Sequence, residues 1–234
     1  MSAIDIKIPC SSFVRVPRTP VQRHTCIDLA RLLIERGADA NICAPKPPPG
    51  LGLSPLHYAC DQLYDSSAEM VALLLDAKAN VNCRAQPNPD DEFLADTPLG
   101  MTLLGFPSEG SSEERSTTIL RIITLLLRAG ASLDAVSDER AAEMELREAE
   151  EVNPALCDSD AFLQTKALII GVRAAGCWKQ YCRRDHKQIL RLRSLVARGR
   201  ARERLATSRA MKFIVRQGDN GIVWTILSFW QATN

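Results

Sequence analysis

Residues 54–60 read Ser-Pro-Leu-His-Tyr-Ala-Cys, and the chain continues with Val-Ala-Leu-Leu-Leu at 71–75 and Ala-Asn-Val-Asn at 79–82. Proline fits the first turn of a helix, because its missing N–H needs no partner there, and the serine before it is a favourable N-cap. The apolar run has the spacing of a second helix. These residues therefore predict two short helices joined by a turn, each with an apolar face that must be buried against a neighbour.

Parts of the same pattern recur on both sides of this stretch. The second helix and its end have copies at 30–41 and 125–134, and the proline start has a copy, Thr-Pro-Leu, at 97–99. Gly37 and Gly130 follow the two outer copies of the helix, as expected where the chain turns left-handed. The recurrence predicts a stack of similar helical units.

The motif and its copies resemble the ankyrin repeat, a unit of about 33 residues with the signature T-P-L-H-x-A and a second helix ending in L-L-x-x-G-A-x-x-N. The resemblance covers residues 26–134. It implies an all-α fold, an ankyrin repeat solenoid of about three irregular repeats. The family needs a cap with a polar outer side, and we expect C-terminal helices to supply it.

The copies are unevenly spaced. Lys78 takes the glycine position of the middle copy, 41 residues after Gly37 and 52 before Gly130. A left-handed lysine there costs about 1 kcal/mol. Compared with the family's repeat, insertions of roughly 8 and 19 residues are needed. We expect these long turn insertions before Pro55, before Thr97 and between the helices of the last unit.

The chain is predicted to have four parts. An irregular N-terminal strap covers 1–20, in which Ile4, Ile6 and Ile8 alternate as in a short strand, and a degenerate repeat array covers 21–135. An acidic helix and hinge follow at 136–160, and a helical C-terminal cap or appended unit covers 161–234. The proline-rich runs at 47–50 and 87–90 are predicted to be turns.

Four helices are predicted after the array, at 138–152, 160–183, 187–204 and 222–230. The first is stopped by Asn153-Pro154. Helical periodicity places one set of residues of the second helix on its inward face, namely Leu163, Ala167, Ile170, Ala174, Cys177, Trp178 and Tyr181. In the third helix the same reasoning turns Leu192, Leu195 and Val196 inward.

The C-terminal segments 171–181, 190–200 and 221–230 are similar to a tail found on large ankyrin families of unicellular eukaryotes. The last of them also resembles the core of an F-box, although the leucine–proline pair of that motif is absent before Ile222. Two alternatives follow. The last helix caps the array, with Trp224, Phe229 and Trp230 buried, or it recruits ubiquitin-ligase machinery and leaves several of them exposed.

Charge is balanced over the chain but separated along it. Nine acidic residues lie between 138 and 160, and fourteen Lys or Arg lie between 173 and 216. We expect two solvated helix faces that partly neutralise each other. Nucleic-acid binding by the basic block is not favoured, because only three aromatic residues accompany it, namely Trp178, Tyr181 and Phe213.

The composition favours an intracellular protein, cytoplasmic or nuclear. Hydrophobic residues make up 46% of the chain, yet no run of about 18 apolar residues occurs, and residues 1–12 lack the apolar region of a signal peptide. The eight cysteines are scattered, and without a secretory signal we expect reduced thiols. No membrane partner is expected.

No residue pattern predicts an enzyme, a cofactor or a metal. His57 stands at the histidine of the repeat motif, whose role in the family is to hydrogen-bond the turn, and Gly100 takes this position in the later copy, where the turn is expected to be less well tied. Cys177, Cys182 and His186 lack the close cysteine pairs and the fourth ligand of a zinc site. Neither a P-loop nor a G-x-G-x-x-G motif is present.

The resemblance implies a non-catalytic scaffold that binds a protein partner on the concave face of the array. The alternative is a ubiquitin-ligase substrate adaptor that uses the last helix. By the family's pattern, the contact residues are Tyr58, Asp61 and Gln62 in one unit and Met101, Leu104 and Gly105 in the next. Phe93, after three acidic residues, is predicted as an exposed anchor. The protein is expected to be a monomer.

Overall fold

The computed structural model describes residues 20–43, 52–63, 66–85, 97–106, 113–134, 136, 140–200, 209–218 and 220–233. In these ranges the chain forms helices and contains no extended strand, as the predicted all-α fold requires. The strap with Ile4, Ile6 and Ile8 and the proline-rich turns at 47–50 and 87–90 lie outside the described residues. The helices are α1 Pro20–Glu35, α2 Pro55–Gln62, α3 Ser67–Asp76, α4 Pro98–Leu103, α5 Glu113–Ala129, α6 Ala142–Val152, the 3₁₀ helix Pro154–Asp158, α7 Asp160–Ala175, α8 Trp178–Ala197, α9 Arg209–Arg216 and α10 Asn220–Thr233.

Residues 1–39 and 40–234 form two compact units, described separately. In the first unit, α1 ends two residues before the glycine predicted to stop it. Gly37 has φ 87°, and its N–H donates to Ile34 O at 2.9 Å while Ala38 N donates to Leu33 O at 2.9 Å. This pair of bonds is the Schellman ending of a helix.

The same ending recurs twice in the second unit. After α3, Lys78 has φ 66° and donates to Leu75 O at 3.0 Å. After α5, Gly130 has φ 96° and donates to Leu127 O at 3.1 Å. Lys78 therefore adopts the left-handed conformation considered from sequence. Three second-helix ends thus share one geometry.

The helices of the second unit stack in pairs. Helix α2 packs against α3 and α4, and α5 packs against α3 and α4. Two equivalent layers result, with α2 beside α4 and α3 beside α5. Leu74 of α3 and Leu126 of α5, which belong to the apolar runs of the two second helices, are both buried. The interior of the stack includes Leu56, Cys60, Val71, Leu99, Leu103, Ile119, Ile122, Ile123 and Leu127.

Helix α7 covers the end of this stack by packing on α5. The rings of Phe106 and Phe162 meet edge to face, with centroids 5.0 Å apart, and both side chains are fully buried. Helix α6 packs against α4 and α7. Farther along, Ile189, Ile214, Val223 and Leu227 form a separate apolar cluster that joins α8, α9 and α10. C-terminal helices therefore cap the array, as predicted.

The predicted helix boundaries in this region are wrong. A helix over 160–183 was expected, but α7 stops at Ala175 because Gly176 has φ 85°, a conformation that suits glycine and ends helices. Helix α8 then runs without a break from Trp178 to Ala197, through the predicted gap before 187. The acidic helix ends at Val152 with Asn153 as its cap, as expected.

The predicted inward face of this region is also wrong. Leu163 and Ile170 are 45% and 51% exposed. The buried residues of α7 are instead Ala161, Phe162, Thr165, Ile169 and Val172. Apolar residues lie around most of α7, so its periodicity does not choose a face, and the contact of Phe162 with the array decides it. On α8, Leu195 is exposed by 40%, not turned inward.

Candidate functional site

The first motif turn is closed by the histidine. His57 is fully buried, and its Nδ1 accepts a hydrogen bond from Ser54 N at 3.1 Å. The Ser54 hydroxyl lies 2.9 Å from the same nitrogen. Because a backbone N–H can only donate, Nδ1 is the acceptor in the first of these contacts. His57 thus has the structural role expected from sequence.

Cys83 brings a thiol to this turn. Its Sγ lies 3.3 Å from Ser54 Oγ and 3.8 Å from His57 Nδ1, a grouping of residue types that also occurs in nucleophilic sites. Here Nδ1 is already engaged by a backbone N–H, and burial raises the pKa of the Cys83 thiol. A cysteine nucleophile needs the opposite shift. The geometry therefore makes Cys83 a packing and hydrogen-bonding residue.

The second motif turn, which lacks the histidine, is tied by a different device. Thr97 Oγ1 accepts from Gly100 N at 3.2 Å and donates to Val136 O at 2.9 Å, and Thr97 N donates to the same carbonyl at 3.2 Å. A Cβ on Gly100 would meet Val136 O at 2.2 Å. Glycine therefore leaves room for the carbonyl, and the expectation of a loosely tied turn is wrong.

Two asparagine side chains connect successive turns by the same pair of hydrogen bonds. Asn41 accepts from Asn80 N at 2.7 Å and donates to Lys78 O at 3.3 Å. Asn82 makes the corresponding pair to the turn at 130–132, at 2.8 and 3.2 Å. Because backbone groups in a turn need partners, these bonds hold the turns in register.

The array ends on an aspartate in place of this asparagine. Asp134 Oδ1 accepts from Arg173 Nη1 of α7 at 2.7 Å, and Arg173 Nη2 donates to Leu133 O at 2.9 Å. The same guanidinium binds Glu143 of α6 with both donors of its other edge. Glu143, and then Asp134, raise the pKa of Arg173 above its usual range. The capping helix thus takes the place of the next repeat's backbone.

The predicted partner-binding residues fall on α2 and α4. Tyr58 and Met101 each lie four residues after the N-cap of their helix, and these helices pack side by side. Tyr58 is 45% exposed and Leu104 39%, whereas Met101 is half-buried. We call Tyr58, Asp61, Gln62, Met101 and Leu104 the α2–α4 face.

The remaining predicted residues differ in their positions. Asp61 and Gln62 are half-buried, and Asp61 Oδ2 accepts from Gln62 Nε2 at 3.4 Å. Gly105 is buried, and a Cβ there would meet Leu63 Cδ1 at 2.1 Å. Phe93 lies outside the described residues. Gly105 is thus the one buried residue among the described members of the set.

Within the ranges that the structure describes, no three His, Cys, Asp or Glu side chains are grouped as metal ligands. Cys177 is exposed and Cys182 is half-buried, while His186 is buried.

Among the described helices, none is both long and apolar enough to cross a membrane.

Comparison with known protein families gives a match over part of this chain. The ankyrin repeat family model matches residues 51–86. The match includes α2, α3 and Asn82, which bonds to the next turn. It therefore coincides with the unit whose first turn is closed by His57. The fold is an all-α ankyrin repeat solenoid. Proteins with this repeat generally act by binding other proteins and are generally not catalytic. Among curated proteins, no match was found.

The sequence alone did not reveal two features of this region. No particular partner for Arg173 could be named from the sequence, because its acidic partners lie 30 and 39 residues earlier in the chain. The one sequence feature that pointed to a basic partner here was Asp134, which stands at the asparagine position of the last repeat. Thr97 and Val136 were missed as a pair, because the motif gives no partner for a turn without histidine.

Proposed function

We propose that this protein is a non-catalytic scaffold that binds a protein partner on the concave side of three ankyrin repeats, through the α2–α4 face. The observation that carries the proposal is the pairing of Tyr58 and Met101 at equivalent positions of two helices that pack together. Tyrosine and methionine are enriched at protein interfaces because they supply large contact areas. The partner is therefore expected to present an apolar surface.

The framework under this face supports the proposal. The hydrogen bonds of Asn41 and Asn82 and the two motif turns fix the backbone of α2 and α4 before any partner binds. A platform that is already ordered loses little conformational entropy on binding. Asp61 and Gln62 add hydrogen-bonding groups at the edge, where polar residues surround the apolar centre of an interface. The monomeric state stays a prediction, and so does a role for Phe93.

The adaptor alternative depends on α10. Val223 and Leu227 of this helix are buried in the cluster with Ile189 and Ile214, which favours a cap. Ile222 of this helix is 43% exposed and offers apolar surface to a second partner. The side chains of Trp224, Phe229 and Trp230 lie outside the described residues, so the comparison of their exposure stays open.

The test is capture of a partner by the full chain, using proximity labelling, followed by calorimetry with the captured protein. The double variant Tyr58→Ala/Met101→Ala should unfold within about 1 kcal/mol of the parent. Its affinity should fall by roughly tenfold or more, as expected for aromatic interface residues. The matched control is Met144→Ala/Phe213→Ala, which removes exposed apolar side chains elsewhere. Full affinity in the first variant, or an equal loss in the control, would contradict the proposal.

A further inference from the structure

The carboxylates of the acidic helix α6 pair with basic residues of α7 and not with those described on α8. Lys166 of α7 binds Glu150 at 2.6 Å, and Arg173 binds Glu143. Two further carboxylates of α6, those of Glu145 and Glu148, pair with Arg140 just before the helix. The sequence predicted that the acidic and basic blocks would partly neutralise each other. Among the described residues, the ion pairs of α6 reach α7 and stop short of α8.

Helix α8 and its C-cap residue, Arg198, carry a row of basic residues on one face. Lys187, Arg191 and Arg198 are exposed and make no ion pair with any side chain that the structure describes. Their spacings of four and seven residues place them along one line of the helix, about 5 Å apart per turn. Arg184 begins the row, with its guanidinium 5.2 Å from the centre of the Tyr181 ring.

The first part of this row borders a groove of about 500 Å³. The groove is lined by Arg184, Lys187, Gln188, Leu190, Arg191 and Ser194. Most of the lining surface is apolar, as expected where the aliphatic stems of long basic side chains lie beside leucine while their charged ends reach water. Leu190 is half-buried and also contacts the cluster of α8, α9 and α10. The groove thus combines an aliphatic floor with a cationic rim.

We propose that this groove, which we call the α8 groove, docks an amphipathic acidic helix of a partner protein. Carboxylates spaced three, four and seven residues apart on such a helix have the same repeat as the basic row and can meet it along its length. The apolar side of the incoming helix covers the aliphatic floor, as in other helix-in-groove complexes. This surface is separate from the α2–α4 face and does not depend on that proposal.

The lining favours a peptide over nucleic acid. Proteins that bind single strands stack bases on exposed aromatic rings, and the described residues that line the α8 groove include no aromatic side chain. The ring of Tyr181, on the same helix, is covered by Arg184 and lies so close to Gly171 that a Cβ there would meet it at 2.5 Å. An apolar floor also offers nothing to a phosphate backbone, which is bound through charge and hydrogen bonds.

The experiment measures binding of a designed peptide to the full chain by fluorescence anisotropy. The probe is a helix of about 20 residues, long enough to be helical in water, with glutamates at the spacing of the basic row beside a stripe of leucines. A second peptide of the same composition distributes its glutamates around the helix. A DNA oligonucleotide of equal net charge is the third probe.

The test variant is Lys187→Glu/Arg191→Glu. Exposed ion pairs are individually weak, and reversal replaces attraction by repulsion at two of them, so affinity for the patterned peptide should fall by roughly tenfold. The matched control is Arg121→Glu/Arg128→Glu on α5, which changes net charge equally at two exposed positions. It should retain the parent affinity, and circular dichroism should show both variants folded.

The proposal predicts that the patterned peptide binds more tightly than the scrambled one and than the oligonucleotide, with affinity that decreases as salt increases. Equal binding of the two peptides would show a diffuse charge effect and overturn it. Tighter binding of the oligonucleotide would assign the row to nucleic acid. An equal loss in the α5 control would also contradict a site on α8.

Discussion

At the scale of single residues, the two motif turns show how one backbone arrangement is stabilised by different chemistry. His57 accepts the Ser54 N–H in the first turn, whereas in the second Thr97 provides both a hydroxyl and an N–H to the Val136 carbonyl. The space that the histidine would need is filled by that carbonyl. A turn that departs from the motif is therefore closed from outside the repeat.

Replacing Gly100 by alanine tests this arrangement. The added Cβ would lie 2.2 Å from Val136 O, a backbone atom, so overpacking should cost about 1–3 kcal/mol although alanine is the better helix former. Gly218→Ala is the control, because nothing lies within 4 Å of its Cβ position, and it should change stability by at most about 0.5 kcal/mol. Urea unfolding measures both. Equal stabilities would show that the Val136 carbonyl does not occupy this site.

The thiols around the first turn should be unreactive. Burial raises the pKa of Cys60 to about 12 and also raises that of Cys83, so neither forms the nucleophilic thiolate near neutral pH. Iodoacetamide at about pH 8 should modify exposed Cys43 and Cys157 first, as mass spectrometry can follow. Unfolding in urea should make Cys60 and Cys83 as reactive as Cys43 and Cys157. Rapid labelling of Cys60 in the folded protein would refute its burial.

The pKa shift of Cys60 also has a sign for stability. Its pKa rises from 9.0 to about 12 on folding, so the folded state binds the proton more tightly than the unfolded chain. The resulting stabilisation is present below about pH 9 and decreases as the pH rises towards 12.

At the scale of elements, adjacent residues of α7 distinguish the observed helix face from the one predicted by periodicity. Ile169 is fully buried, whereas Ile170 is 51% exposed. Ile169→Ala should therefore destabilise the protein by about 2–5 kcal/mol through loss of buried surface and a residual cavity. Ile170→Ala should cost less than about 1 kcal/mol. Thermal melts of the two variants measure this difference. A larger loss of stability in Ile170→Ala than in Ile169→Ala would support the helix face predicted by periodicity.

The sequence predicted elements best where local chemistry decides them. Proline after an N-cap residue located the starts of α2 and α4, and left-handed positions located the ends of α1, α3 and α5. It failed for α7, because Gly176 was not recognised as a helix end and apolar residues surround the helix. Which side is buried depends on Phe106, which lies 56 residues before Phe162, and such a contact is not encoded in local spacing.

The candidate sites show the same limit. The resemblance selected Tyr58, Met101 and Leu104 from their place in the repeat, and the structure puts Tyr58 on α2, Met101 on α4 and Leu104 at the end of α4, where the two helices pack side by side. The basic row of α8 was visible as a run of charge, but its availability depends on where the acidic helix packs. The packing of the acidic helix on α7 became visible only through the ion pairs between α6 and α7 in the structure.

At the scale of the whole molecule, we expect the array to be unstable without the helices that follow it. The predicted boundaries at 20, 135 and 160 remain predictions. What the structure adds is the contact itself, since Phe162 and Ile169 of α7 are buried where it packs on α5. Arg173 then closes the last turn through Asp134 and Leu133 O. Removing these groups exposes an apolar surface and leaves a charge unpaired.

The most direct test is the behaviour of a fragment that ends at Asp134, compared with the full chain and with a fragment that ends at Gly176 and so retains α6 and α7. Without a cap, a repeat array exposes the apolar face of its last unit. We predict that the 1–134 fragment is insoluble or melts without cooperativity by circular dichroism, whereas the 1–176 fragment melts cooperatively. A soluble 1–134 fragment with a cooperative transition like that of the longer fragment would contradict the capped-array account.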